Sequence, residues 1–94
     1  METLELINEL TIFTAAEQKD QLIAFLNTGN DLEINLAKVS EIDTAGLQLL
    51  ILLKREAGHL GKNLSYVMHS KAVLDILELT NLTAVFGDQV VLSY

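Results

Sequence analysis

The chain has 94 residues, half of them apolar, no cysteine and a net charge of −7. That is enough for one domain, residues 1–94, with a small core, and too apolar for disorder. It excludes disulfides, thiolate metal sites and a cysteine nucleophile, argues against nucleic acid as a partner, and offers no apolar run near the roughly 20 residues that membrane insertion needs.

The charge is uneven: residues 1–42 carry net −6 and residues 43–94 net −1, so the first half could steer a basic partner. No basic-then-apolar leader follows Met1, and the expected location is the cytoplasm. Thr3 to Asn8 reads as a first strand and Leu10 to Phe13 as a second. Thr14 and Glu17 have the spacing of a capping box, in which each side chain satisfies a backbone N–H at a helix start. The helix they open runs from Ala15 to about Leu26, with Ala15, Leu22, Phe25 and Leu26 on its apolar face and Ile23 at the margin. Asn27 to Asn30 stops it, with Gly29 in the left-handed position. Asp31 to Leu36 is a strand with Leu32, Ile34 and Leu36 on one side, and Ala37 to Ile42 is a connector anchored by Val39 and Ile42.

Asp43 is then an N-cap, its carboxylate placed to accept from first-turn N–H groups. The helix it opens ends near Gly58 or Gly61. At about 100° per residue, Gly46, Leu49, Leu50, Leu53, Ala57 and Leu60 share one broad face, which should lie on a sheet. Leu47 and Ile51 stack outside that face, beside Arg55. A helix apolar nearly all round is buried on every side or carries a partner surface. The expectation is therefore an exposed surface centred on Leu47 and Ile51, with Thr44 and Gln48 above and Arg55 at the rim. The competing account is a neighbouring helix that covers both. Leu64 to Met68 is the next strand, and Ser70 caps a helix from Lys71 to Leu79 that packs through Val73, Leu74, Ile76 and Leu77. Leu82, Val85 and Phe86 form an apolar patch, and Val90 to Leu92 is a terminal strand or tail. Strands alternating with helices at these lengths imply an α/β fold: a largely parallel, mixed sheet of four or five strands with three or four helices over it.

Chemistry is sparse. His59 and His69 lie in no spaced set of metal ligands, so no metal or other cofactor is expected. His69 beside Ser70 is a poor base–nucleophile geometry, and Ser70 reads better as a cap. There is no phosphate-binding glycine loop and no G-x-S-x-G elbow, and the chain is not expected to be an enzyme.

At Asp43-Thr44-Ala45-Gly46-Leu47 the sequence resembles the STAS family, with its signature D-[ST]-x-G-[LV]. The resemblance covers nearly the whole chain. Glu9-Leu10-Thr11 followed by Thr14-Ala15-Ala16-Glu17 is similar to the family's first strand-to-helix turn, Asp31 to Leu36 to its central strand, and Leu82 and Phe86 to its apolar last segment. For members of the anti-sigma factor antagonist type, the resemblance implies partner switching. The residue after the Asp, here Thr44, is phosphorylated by a partner that is itself an anti-sigma factor or histidine-kinase-like Ser/Thr kinase, and a phosphatase resets it. Asp43 would orient the hydroxyl, and Gly46 would let the partner's backbone approach. Thr in place of the usual Ser, followed by Ala45, is also similar to relatives that serve as unmodified docking subunits. On that alternative the partner is a chemotaxis or two-component protein, or an ABC-type lipid-transport ATPase.

Overall fold

The computed structural model describes residues 1–80. Six elements alternate in type: β1 (Glu2–Leu10), α1 (Ala15–Leu26), β2 (Asp31–Ile42), α2 (Thr44–His59), β3 (Asn63–Val67) and α3 (Lys71–Thr80). The α/β class is as expected. Among the described residues the sheet has three strands in the order β1-β2-β3, all parallel, rather than four or five in a mixed arrangement. The segments expected at Leu82 to Phe86 and Val90 to Leu92 lie outside the described residues.

Each strand alternates. Leu6, Leu32, Ile34, Leu36, Leu64 and Tyr66 are buried, whereas Thr3, Glu5, Glu33, Asn35, Ser65 and Val67 are not. The buried set joins Leu22, Phe25 and Leu26 of α1, Leu47, Leu49, Leu50, Leu53 and Ala57 of α2, and Val73 and Leu77 of α3 in one core. α1 and α2 pack on each other, and α3 packs along β2. The fully buried Tyr66 places its hydroxyl on the Leu50 carbonyl at 2.5 Å, which gives a buried polar atom its partner. Lys54 donates to the Leu64 carbonyl at 2.5 Å and lies over the Tyr66 ring, fastening α2 to β3.

Four local expectations are corrected. Leu10 to Phe13 is not a strand: β1 is one strand ending at Leu10, and residues 11–14 are a turn. Thr14 and Glu17 form no capping box, because Thr14 makes no side-chain cap bond and its hydroxyl turns back into that turn. Gly29 does not take a left-handed conformation; Gly61 does, at φ 69°. Ala37 to Ile42 is not a connector but the second half of β2. There β2 carries extra residues relative to its partner, since β1 advances from Glu5 to Ile7 while β2 advances from Asn35 to Lys38. Asn35 accepts from the Ala37 N–H at 2.8 Å at this point, the local side-chain bond of an Asx turn within a bulged strand. A second shift follows between Asn8 and Glu9, with Asn8 at φ 66°.

Candidate functional site

β1 and β2 run parallel, so the turn leaving β1 and the start of α2 emerge at the same end of the sheet. Asp43 joins them. One carboxylate oxygen accepts from the Gly46 N–H at 3.0 Å, the N-cap bond expected from the sequence. The other accepts from the Ile12 N–H at 3.0 Å. Its own N–H donates to the Leu10 carbonyl at 3.4 Å. The Ile12 N–H first, and the Gly46 N–H second, hold the Asp43 carboxyl below its ordinary value of 3.8, because both bonds favour the ionised form.

Gly46 is buried, and its role differs from the one expected. A Cβ built on it would lie 2.1 Å from the Leu10 carbonyl oxygen. The glycine therefore admits the end of this chain's own β1, not a partner's backbone. Leu47 is also corrected: it is fully buried in the core, on a helix against which α1 packs. It lies in the core, the outcome the competing account expects of it, and it cannot centre an exposed surface.

The other named residues remain accessible. Thr44, the first residue of α2, is exposed, as are Gln48 and Arg55, while Ile51 is half-buried. Ala45, Gln48, Leu49, Ile51, Leu52 and Arg55 line an open groove along α2. Among the described residues no group of carboxylates and histidines could hold a metal ion, and no helix is long and apolar enough to cross a membrane.

Sequence reasoning missed the turn between β1 and α1. Ile12 is 67% and Phe13 88% exposed, while Thr11 is buried and Thr14 half-buried. The available signal was a pair of threonines bracketing two apolar residues immediately after a strand and before a helix.

The family model described as Mlab, STAS domain, matches residues 2–92. Among solved structures, the chain is similar to a candidate anti-sigma factor antagonist from Thermotoga maritima, with 26% sequence identity, a TM-score of 0.75, and coverage of 95% of this chain and 78% of that one. It shares the fold of the anti-sigma factor antagonist SpoIIAA in its unphosphorylated form, with 18% identity, a TM-score of 0.69, and coverage of 94% of this chain and 80% of that one.

Proposed function

This chain belongs to the STAS family, and we propose that it is a non-catalytic docking module, released from its partner by phosphorylation of Thr44 in the manner of an anti-sigma factor antagonist. The partner on this reading is an anti-sigma factor or a histidine-kinase-like Ser/Thr kinase, with a phosphatase to reset the switch.

The observation that carries the reading is an accounting of the signature. Asp43 caps α2 and clamps the β1 turn. Gly46 receives the Leu10 carbonyl, and Leu47 fills the core. Folding explains these three. Thr44 stands exposed at the first position of a 16-residue helix, with no such task. A phosphate there would lie where helix N–H groups and the helix dipole favour an anion. It would add about −1.5 to −2 charges and a bulky hydrated group without opening the core. A partner seated over Thr44 would have to accommodate and dehydrate that group.

A second reading, an unmodified docking subunit of a chemotaxis or two-component system or of an ABC-type lipid-transport ATPase, is supported by the Thr44-Ala45 pair. Two variants separate the readings. Thr44→Ala should bind the partner and resist release, and Thr44→Glu should bind poorly with its circular dichroism unchanged. Equal affinity of Thr44→Glu and wild type, together with phosphopeptide maps from cells in which Thr44 is never modified, would leave the docking subunit.

A further inference from the structure

We propose that the Ile12–Phe13 turn is a preformed apolar anchor for a protein partner whose docking surface is an apolar pocket with a cationic rim; this rests on reading the chain as a docking module and deepens it.

The turn holds two large apolar side chains in water while each N–H from Thr11 to Ala15 has a hydrogen-bond acceptor. The Thr11 N–H donates to the Thr14 hydroxyl at 3.0 Å, Ile12 to Asp43 at 3.0 Å and Phe13 to the Thr11 hydroxyl at 3.3 Å. Thr14 and Ala15 both donate to the Thr11 carbonyl, at 3.0 and 2.7 Å. The Thr14 hydroxyl proton has the Glu9 carbonyl at 3.0 Å, and the Thr11 hydroxyl donates to the Glu9 carboxylate. An exposed apolar pair on a fixed backbone gains nothing from the fold it belongs to. It does lower the ordering cost of binding, because the anchor is already in place. Among the described residues, the other strongly exposed apolar ones are single: Met1 at the chain start, Leu60 at the end of α2, Leu79 near the end of α3 and Ile7 within β1. Scattered residues of that kind require no explanation.

Charge identifies the occupant. Glu9 and Glu41 are register partners at the end of the β1–β2 ladder, and like charges placed opposite each other destabilise a sheet. The Asp43 carboxylate joins them through its bond to Ile12. The ion pairs among the described residues, Lys38 with Glu5, His59 with Glu56 and Lys71 with Asp75, leave all three carboxylates without a base. A lipid surface would suit Phe13 alone, but these carboxylates and a net charge of −7 oppose an anionic bilayer. A second copy of this chain would bring the same carboxylates face to face. A pocket rimmed by arginine or lysine satisfies both features, since it takes the side chains and pairs the charges.

The test has two stages. A photo-crosslinking side chain is placed at position 13 in cells, with position 60 as control, at the far end of α2 and roughly 24 Å from Thr44 by the helical rise. The protein captured through position 13 is then purified and titrated with the wild type and with Phe13→Ser, Leu60→Ser and the double variant Glu9→Gln/Glu41→Gln, at low and high salt. Expected are a loss of about tenfold or more in affinity for Phe13→Ser, wild-type affinity for Leu60→Ser, and a weaker salt dependence for the double variant. The proposal is overturned if position 13 captures nothing beyond position 60, if Phe13→Ser binds as wild type, or if the double variant keeps the full salt dependence. It is also overturned if Phe13→Ser abolishes binding to anionic or zwitterionic vesicles, or self-association, instead of binding to a protein. Thr44→Glu in the same titration separates this inference from the phosphorylation reading. Lost affinity for Phe13→Ser with tighter or unchanged binding of Thr44→Glu keeps the anchor and removes release by charge. The reverse pattern removes the anchor and keeps the switch.

Discussion

Two turns meet at one end of the sheet, and their polarity is opposite. At the start of α2 the small and apolar residues Gly46 and Leu47 are buried and the hydroxyl of Thr44 is outside. At the turn after β1 the threonines are drawn inward and the apolar residues Ile12 and Phe13 are outside. The difference follows from backbone demand. At a helix start the first N–H groups have no intrahelical partner and are met by a single cap side chain and by solvent, here Asp43, so the apolar side chains are free to follow the core. A four-residue turn has no ladder, and its N–H groups need acceptors. Here Thr11, Thr14 and Asp43 supply them, which fixes the threonines inward and leaves Ile12 and Phe13 facing solvent. Hydrogen-bonding need decides which side chain is buried at the first turn, and hydrophobicity decides it at the second.

The comparison breaks most severely at Gly46. Alanine there would place a methyl group 2.1 Å from the Leu10 carbonyl oxygen, and that atom is backbone fixed in β1. Gly46→Ala should destabilise by about 3 kcal/mol or more, measured by urea unfolding, or fail to give a folded protein. Near-wild-type stability would mean that β1 and α2 can separate at no cost. Next in size is Leu47→Ala. As a fully buried leucine it should lose about 2–5 kcal/mol. A loss within about 0.5 kcal/mol, the range for an exposed site, would return Leu47 to the partner surface.

Much of the fold was legible because its signals are local. The Asp43 and Ser70 caps are both present, Ser70 accepting from the Val73 N–H at 3.3 Å, and α1 spans the residues expected of it. The failures share a cause. Val39 falls three residues after Leu36, which breaks a two-residue alternation and reads as a loop, although both are buried in one continuous strand. The extra residues in β2 produce that break, and only the register with β1 reveals them. Leu47 failed similarly: helical period shows which residues share a face, but not that the core extends to a second one. Gly46 was correctly picked out as a close approach, but the approaching backbone is 36 residues earlier in the same chain. Near the candidate site, the Asp43 cap was legible from cap chemistry and Thr44 was singled out by the family signature, whereas the exposure of Ile12 and Phe13 was not legible.

Asp43 binds the two turns together, so its removal should blur the contrast between them more gently than a core change. Asparagine offers one acceptor oxygen where two are used, and Asp43→Asn must lose one bond. The pH dependence carries a sign. The carboxyl is held below its ordinary value of 3.8 in the folded chain, so the unfolded chain binds the proton more readily. Its contribution is then fully present above the ordinary value and is lost as pH falls through the lowered one. The urea midpoint of wild type should exceed that of Asp43→Asn at pH 7, and the gap should close below pH 3.8. A gap that stays constant into acid would mean that shape rather than charge makes the clamp.

The smallest expected effect on stability is at Phe13, and it is the mirror image of Leu47→Ala. The two residues are both large and apolar, lie near the same end of the sheet, and differ in exposure, 88% against 0%. Burial, not residue type, sets the cost of truncation. The turn around Phe13 is held by the backbone and by Thr11, Thr14 and Asp43, none of which needs the phenyl ring. Phe13→Ser should therefore shift folding free energy by no more than about 0.5 kcal/mol, and hydrogen exchange at Ile12 and Ala15 should remain as slow as in wild type. A loss approaching that of Leu47→Ala would show that the ring is covered in solution by something in the same chain. The opposed polarity of the two turns would then vanish, and with it the case for an exposed anchor. An unchanged stability would mean that any loss of partner affinity in Phe13→Ser is a loss of contact and not of fold.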